Sequence, residues 1–223
     1  NLKIDGIDGN TVEFWMKKSE FVNTLTAHEV IFDAHTSDFI SSSVNYTRLT
    51  IEMTGTTSTS PFRITYMSGT SGFSYETIGS SITTSSVADD SWHHYAFAFA
   101  NSGSNIEVNF YVDGTCNETI VTGSSINYVS GNVNSTIGSL ITAPSGSVGP
   151  TLGWGKLSGS LDEFRFWKTR RTSEQIGRNY FTPVYGGTNT DKEKYFYSGS
   201  LSGNPVDLGV YFKFNEGITG VSS

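Results

Sequence analysis

The sequence predicts an all-β protein, a two-sheet antiparallel jelly-roll sandwich with one short helix towards its C-terminal end. Three observations lead to this fold class. Apolar and polar residues alternate along several segments, which is the pattern of strands whose two faces meet different surroundings. Tracts rich in Ser, Thr, Asn and Gly separate those segments, as turns and loops do. Only one segment carries the signals of a helix start.

Composition supports one folded domain and disfavours two classes of partner. The 223 residues can bury one large core, and their 13% aromatic content argues against disorder. A net charge of -7 disfavours nucleic acids and anionic membranes, because both are bound through clustered positive charge. No apolar run is long enough for a membrane-spanning helix. The single cysteine, Cys116, excludes an intrachain disulfide, so the core has to hold the fold.

The predicted strands follow in chain order. Residues 11–17 alternate apolar side chains with polar or larger ones, and residues 62–67 do the same. In residues 92–99 the second face includes two alanines, which are small enough to lie under another layer. We therefore expect both faces of this strand to be covered and place it centrally in its sheet.

The best-defined hairpin joins residues 107–112 to residues 115–121. The dipeptide Asp113-Gly114 between them supplies the positive φ angles of a tight hairpin turn. Long loops, where function on a sandwich usually lies, are predicted at residues 41–43, 55–60, 68–72 and 144–155.

One short helix is predicted over residues 173–180. Thr172 and Gln175 have the spacing of a capping box, and the segment stops before a proline. Ile176 and Tyr180 are four residues apart, so they share the face that packs against the sandwich.

Five segments, taken in order, carry a family resemblance. They are TVEFWMKK from Thr11, SWHHYAFAFA from Ser91, VNFYVDG from Val108, STIGS from Ser135 and GSLDEFRFWKTRRTSEQI from Gly159. They resemble the hallmark strands of the laminin G-like and pentraxin-like group within the concanavalin A-like lectin/glucanase superfamily. The resemblance implies a laminin G-like β-sandwich over residues 1–180.

The tail, residues 181–223, is interpreted as a connecting segment and an edge strand that leads to a further module. Its motif LGVYFKFNEGITG, from Leu208, resembles the segment that commonly opens such modules in multi-domain surface proteins. The alternative is that this strand completes the present sandwich. The chain starts at Asn1 without a leader, so we expect an internal piece of a longer polypeptide.

Catalysis has little support in the sequence. Glycosidases of this fold carry Glu-x-Asp-x-x-Glu on one strand, and that spacing does not occur. The nearest acidic pair is Asp162-Glu163, but neighbours in a strand point to opposite faces and cannot act on one bond. The same alternation separates the rings of His93 and His94. We therefore expect a non-enzymatic module.

Calcium is the one cofactor that the resemblance implies, in a structural role. Asp162 matches the acidic position of the family's late strand. The early turn adds oxygen ligands from Asp5, Asp8 and Asn10, which suit a hard cation. The alternative is that these side chains cap turns or bond backbone amides.

Glycan binding requires exposed aromatic faces. Trp154 is the foremost choice, because flanking glycines expose its ring on a long loop. Trp15 lies on the less apolar face of its strand, and Tyr46 and Phe73 lie in polar stretches. The alternative is that these rings belong to the core.

These observations favour a non-catalytic glycan-binding or adhesive module of a larger virion-surface protein, such as a phage structural protein, or of a secreted surface protein. Its partners would be glycans or neighbouring subunits, in a multi-domain or multi-subunit assembly. The first alternative is an architectural spacer or decoration domain. The second is a glycoside hydrolase. Exposed Trp154 and Trp15 beside a groove would favour recognition, whereas rings buried between chains would favour architecture.

Overall fold

A computed structural model of the chain describes residues 2–21, 28–36, 46–128, 132–140, 155–182 and 207–214. Within these ranges the chain forms strands that make two sheets, together with two short helices. The strands are β1 (Asn10–Lys17), β2 (His28–Thr36), β3 (Thr47–Thr54), β4 (Phe62–Ser68), β5 (Ser71–Ile78), β6 (Trp92–Ser102), β7 (Asn105–Val112), β8 (Thr115–Thr122), β9 (Val133–Ile137), β10 (Ser160–Trp167) and β11 (Leu208–Phe212). The helices are α1 (Thr84–Val87) and α2 (Ser173–Asn179).

The two sheets are antiparallel throughout their described ladders. One has the strand order β11-β10-β1-β6-β7-β8 and the other has the order β5-β4-β3-β2-β9. In the six-stranded sheet, β1 is flanked by β10 and β6, both far from it in sequence. The predicted two-sheet sandwich is confirmed. Neither helix among the described residues is long and apolar enough to cross a membrane.

An aromatic core lies between the sheets. Phe62 of the five-stranded sheet packs against Phe97 at 5.4 Å and Phe110 at 5.2 Å between ring centroids. Phe32 packs in the same way against Phe164, at 5.1 Å. All of these rings are at most 1% exposed. This packing supplies the stabilisation that a disulfide cannot supply here.

The outer face of the six-stranded sheet is partly covered by α2. Ala96 and Ala98 of β6 form a buried cluster with Tyr111 and Ile176. The Tyr111 hydroxyl lies 2.8 Å from Ser173 Oγ at the start of the helix. The predictions that β6 is covered on both faces and that Ile176 faces the sandwich are therefore confirmed.

The predicted capping box starts α2. Thr172 Oγ1 accepts a hydrogen bond from the Gln175 backbone N–H, and Gln175 Oε1 accepts one from the Thr172 N–H. The short helix α1 was not predicted. It has its own capping box, from Thr83 and Ser86, in a single turn too short to show a periodic pattern.

Strand β11 belongs to this sandwich. It pairs with β10 in the register Phe164↔Phe212, and it forms one edge of the six-stranded sheet. This is the arrangement that the alternative interpretation of the tail expected for the strand. Residues 183–206 and 215–223 lie outside the described residues, so the connection to a further module stays a prediction.

Candidate functional site

Four aromatic residues lie near one another at the outer face of the six-stranded sheet. We call this group the aromatic strip, and it consists of Trp15, Trp92, Tyr180 and Phe181. The β1–β6 register pairs Trp15 with His94 and Lys17 with Trp92, so the two tryptophans are diagonal neighbours on one face. Trp92 is 44% exposed and Phe181 is 64% exposed, so both offer ring surface to a partner.

The end of α2 fixes the orientation of Trp15. Its indole Nε1 donates a hydrogen bond to the Tyr180 carbonyl oxygen at 3.1 Å. Its ring centroid lies 5.9 Å from that of Tyr180, and His94 packs edge-on at 5.7 Å. Tyr180 in turn packs against Phe181 at 5.1 Å. A ring held in this way loses little conformational entropy when a ligand binds.

A buried charge cluster supports the strip from below. Glu13 Oε1 accepts hydrogen bonds from Arg171 Nη1 at 2.8 Å and from Trp167 Nε1 at 2.8 Å. Arg165 Nη1 lies 3.4 Å from the same oxygen, and His94 Nε2 lies 3.7 Å from Glu13 Oε2. The members are almost fully buried. The cluster is therefore structural support and cannot itself reach a ligand.

Electrostatics fix the charge state of this cluster. Burial alone would raise the pKa of Glu13, but the positive charges of Arg171 and Arg165 outweigh it, and the pKa falls to about 2. Burial lowers the pKa of His94 to about 4, so its ring is neutral at pH 7. Glu13 is therefore charged and His94 uncharged beneath Trp15.

A β-bulge brings Asp162 and Glu163 to the same face of β10. Asp162 lies opposite Trp15, and the register of the ladder shifts between Glu13 and Trp15. Glu163 has a φ of 49° and is the extra residue of the bulge. The expectation that these two carboxylates point to opposite faces was wrong, because the bulge interrupts the two-residue period.

The partners of Glu163 show where its side chain lies. Its Oε2 accepts a hydrogen bond from Arg165 Nη2 at 2.8 Å and another from the Tyr211 hydroxyl. Arg165 and Tyr211 are cross-strand partners on the outer face, so the carboxylate lies there too. One of these partners, Arg165, belongs to the buried charge cluster.

Asp162 carries the more available carboxylate. Its Oδ1 accepts a hydrogen bond from the Glu163 N–H at 2.8 Å, which is its one side-chain hydrogen bond among the described residues. Partial burial raises the pKa of Asp162, and the neighbouring Glu163 charge acts in the same direction. The strip therefore has an acidic group beside Trp15.

The predicted calcium ligands of the early turn are occupied by protein groups. Lys3 Nζ lies 2.8 Å from Asp5 Oδ2 and 2.7 Å from Asp8 Oδ2. Asp5 Oδ1 accepts a hydrogen bond from the Ile7 N–H at 2.9 Å. The lysine ammonium thus holds the position between the two carboxylates that a cation would need, and its bond to Asp5 raises the pKa of Lys3.

Asn10 is likewise committed to the fold. Its Oδ1 accepts hydrogen bonds from the Tyr66 hydroxyl at 2.8 Å and from the Asp5 N–H at 3.1 Å. Its Nδ2 donates to the carbonyl oxygens of Lys3 and Trp167. These are the turn-capping and backbone contacts that the alternative interpretation expected.

The four predicted ligands do not converge. Asp162 pairs with Trp15, five residues along β1 from Asn10, a separation of about 17 Å at roughly 3.3 Å per residue. Among the described residues no group of three His, Cys, Asp or Glu side chains could hold a metal ion. The residues present therefore do not fit a single calcium ion.

The predicted glycan-binding rings are distributed differently from expectation. Trp15 lies in the strip, as its strand face predicted. Tyr46 is 2% exposed and Phe73 is 6% exposed, so neither offers a ring face to a sugar. Phe73 packs against Tyr66 of the neighbouring strand in the core. Trp154 lies outside the described residues.

Three members of the strip were missed by sequence reasoning. Trp92 could have been found, because alternation in residues 92–99 places it on the outer face with His94. Tyr180 was assigned only to helix packing, and Phe181 was assigned to the connecting segment. No sequence signal shows that the end of α2 comes back over Trp15.

The outer face of the five-stranded sheet is a less suitable site. Asp33 accepts hydrogen bonds from Arg48 Nη2 at 2.8 Å and from Thr50 Oγ1 at 2.7 Å, and all three residues are buried. These polar groups bond one another, and their burial keeps them from a ligand.

Comparisons with known proteins address the fold. The laminin G family model described as the concanavalin A-like lectin/glucanases superfamily matches residues 3–177. The extracellular region of zebrafish Gpr126/Adgrg6 is similar with a TM-score of 0.52 and 18% identity, over 82% of this chain and 21% of that one. A protein from Bacteroides ovatus ATCC 8483, described provisionally as carbohydrate binding, gives a TM-score of 0.50 and 15% identity, over 96% of this chain and 46% of that one.

The chain spans less than half the length of either of these two structures. At such identities the likeness concerns the fold alone. A search of curated proteins finds no match.

Proposed function

Because this chain belongs to the laminin G-like family of the concanavalin A-like lectin/glucanase superfamily, we propose that it is a non-catalytic glycan-binding module of a larger extracellular or virion-surface protein. The observation that carries the proposal is the aromatic strip. It combines two exposed rings, Trp92 and Phe181, with the oriented ring of Trp15 and the available carboxylate of Asp162.

The chemistry of the strip suits a sugar. Aromatic faces stack against the apolar faces of sugar rings, and carboxylate oxygens accept hydrogen bonds from hydroxyl groups. Trp15 and Trp92 are attached to adjacent strands of a sheet, so their spacing is fixed before a ligand arrives. A surface of this kind binds by contact area and hydrogen bonds, without a reaction.

One observation favours a second function, a glycoside hydrolase. The bulge in β10 leaves Asp162 and Glu163 on one face, and hydrolysis needs two carboxylates at one bond. Against it, the Glu163 carboxylate is engaged by Arg165 and Tyr211. These bonds favour a fixed structural role for Glu163 over a nucleophile or a base.

The test is a glycan-array measurement on the wild type, followed by titration of the best ligand against Trp92→Ala. We expect Trp92→Ala to weaken binding roughly tenfold, because one stacking ring is lost. Because the Trp92 side chain is partly exposed, the melting temperature of the Trp92→Ala variant should stay close to that of the wild type. Tyr128→Ala is the matched control, because Tyr128 is 51% exposed and lies outside the strip.

Equal losses in both variants would place binding elsewhere and contradict the proposal. Silence of the wild type across the array would favour the architectural alternative, in which the same rings pack on a neighbouring subunit. Release of shorter sugars from a bound oligosaccharide would favour the hydrolase.

A further inference from the structure

The buried charges below the aromatic strip balance one another. In the buried charge cluster and its neighbour Glu163, the positive charges of Arg165 and Arg171 are matched by the negative charges of Glu13 and Glu163. His94 adds no charge at pH 7, because burial lowers its pKa to about 4. The cluster alone is therefore neutral.

Two basic groups close to the strip, Lys17 and Arg165, are paired with protein groups, and a third, Lys213, lies with its Nζ 5.4 Å from the centroid of the Tyr211 ring. Lys17 Nζ lies 3.3 Å from Asp90 Oδ1. Arg165 Nη2 bonds both Glu163 and the Thr182 carbonyl oxygen, each at 2.8 Å. Asp162 has no ion pair with any residue that the structure describes, and its bonded partner is the uncharged Glu163 N–H. The Asp162 carboxylate therefore has no direct ionic partner among the described residues, and it lies across from Trp15.

We infer that the aromatic strip selects glycans that carry protonated amino groups, as glucosamine residues do, with Asp162 as the counter-ion and Trp15 as the stacking ring. This inference rests on the proposed glycan-binding function and names the substrate class of that site. An ammonium group beside Trp15 would be stabilised by two interactions, an ion pair with the Asp162 carboxylate and a cation–π contact with the indole ring.

The same arrangement disfavours acidic glycans. A sulfate or carboxylate on the sugar would be repelled by the Asp162 carboxylate, and the net charge of -7 adds to the repulsion. Neutral glycans would still stack on the rings and bond Asp162 through hydroxyl groups, but they would not form an ion pair with it. The expected order of affinity is therefore amino sugars first, neutral sugars second and acidic sugars last.

The experiment compares two oligosaccharides of equal length, one of glucosamine and one of N-acetylglucosamine, by calorimetry at a pH where the amino groups are protonated. The two ligands share a backbone and differ in charge. We expect the wild type to prefer the glucosamine oligomer about fivefold, as one partly exposed ion pair allows, and to lose much of that preference in high salt.

Asp162→Asn is the decisive variant. It keeps the oxygen that accepts from the Glu163 N–H and removes only the charge, so the fold should persist. The preference for the glucosamine oligomer, taken as the ratio of the two dissociation constants measured on this variant, should fall to about onefold, because both oligomers then meet the same uncharged side chain. Asp90→Asn is the matched control, because Asp90 is an exposed carboxylate already paired with Lys17.

Each result decides the inference. A preference that survives in Asp162→Asn, or a wild type that prefers the N-acetyl oligomer, overturns it while the proposed glycan-binding function stands. Failure to bind either oligomer or any array glycan overturns both.

Discussion

Glu163 shows what one residue does to the surface of a strand. With strict alternation in β10, only one of Asp162 and Glu163 would face outwards. The positive φ of Glu163 inserts an extra residue opposite β1, and both carboxylates reach the outer face. A sequence pattern reports the period of a strand but not the position where the period slips, so the composition of this face could not be predicted.

Lys3 gives a residue-scale prediction about calcium. Its ammonium already lies between the carboxylates of Asp5 and Asp8, so calcium or a chelator should leave the melting temperature of the wild type unchanged. In Lys3→Met the two carboxylates lose this partner, and calcium should then raise the melting temperature. Thermal melts with calcium and with chelator measure both effects.

Lys17→Met serves as the control, since Lys17 pairs with a single exposed carboxylate. It should show no response to calcium. A wild type stabilised by several degrees in calcium would contradict the role assigned to Lys3.

The element of most consequence for the site is α2, because its end orients Trp15. The helix docks closely against the β7–β8 turn. A Cβ added at Gly114 would lie 2.5 Å from the Tyr180 ring, and the Gly177 Cα is 3.3 Å away. Gly114 therefore serves two purposes: its φ of 76° makes the predicted hairpin turn, and its missing side chain makes room for Tyr180.

We expect Gly114→Ala to lower the free energy of unfolding by about 2–4 kcal/mol, because strain at positive φ adds to a clash with Tyr180. Displacement of Tyr180 should also alter the fluorescence of Trp15. Urea unfolding followed by fluorescence measures both. Gly103→Ala is the matched control, since Gly103 has a φ of 64° but open space at its Cβ, and it should cost only about 1–2 kcal/mol. Equal losses of unfolding free energy in the two variants would contradict the close packing of Tyr180 against Gly114.

Several elements could be predicted because their signals are local. The alternation of β1, β4 and β6, the Asp-Gly hairpin and the capping box of α2 each lie within a few residues. The pattern of β2 is broken by a register shift between Val30 and Phe32, and that strand was not predicted. Strand β3 was not predicted either, although its apolar residues Leu49, Ile51 and Met53 stand at alternate positions.

The site was harder to predict than the strands. Trp15 could be assigned to a face from its own strand. Tyr46 and Phe73 stand in polar stretches, yet both are buried, and Phe73 packs against Tyr66 of the neighbouring strand. Phe181 enters the strip only because α2 returns over β1. Whether a ring is buried depends on tertiary packing, so a linear sequence pattern could not separate buried rings from exposed ones.

At the scale of the whole molecule, acid should unfold the protein through its buried charge cluster. Glu13 has a folded pKa of about 2 against an ordinary value of 4.5, so its stabilisation is present above pH 4.5 and is lost as the pH falls towards 2. His94 has a folded pKa of about 4 against 6.5, so the unfolded chain takes up its proton first, and stability falls between pH 6.5 and 4. Both groups act in the same direction.

Each shift corresponds to roughly 3 kcal/mol, and coupling between the two makes their sum smaller. Urea unfolding between pH 7 and pH 3 should therefore show a continuous loss of a few kcal/mol. In His94→Gln the slope between pH 6.5 and 4 should flatten. A wild-type stability that is constant from pH 7 to pH 4 would contradict this account.

The position of β1 has a consequence for how the chain is assembled. Thr11 of β1 pairs with Ala98 on one side and with Trp167 on the other. The six-stranded sheet is therefore complete only after distant parts of the chain have come into contact. The β6–β7–β8 meander needs only neighbouring residues and can pair while the rest is still being made. On a ribosome, β1 emerges before the other described strands of this sandwich but is completed among the last of them. Until residue 167 is synthesised, one side of β1 remains an open edge to which another chain can add.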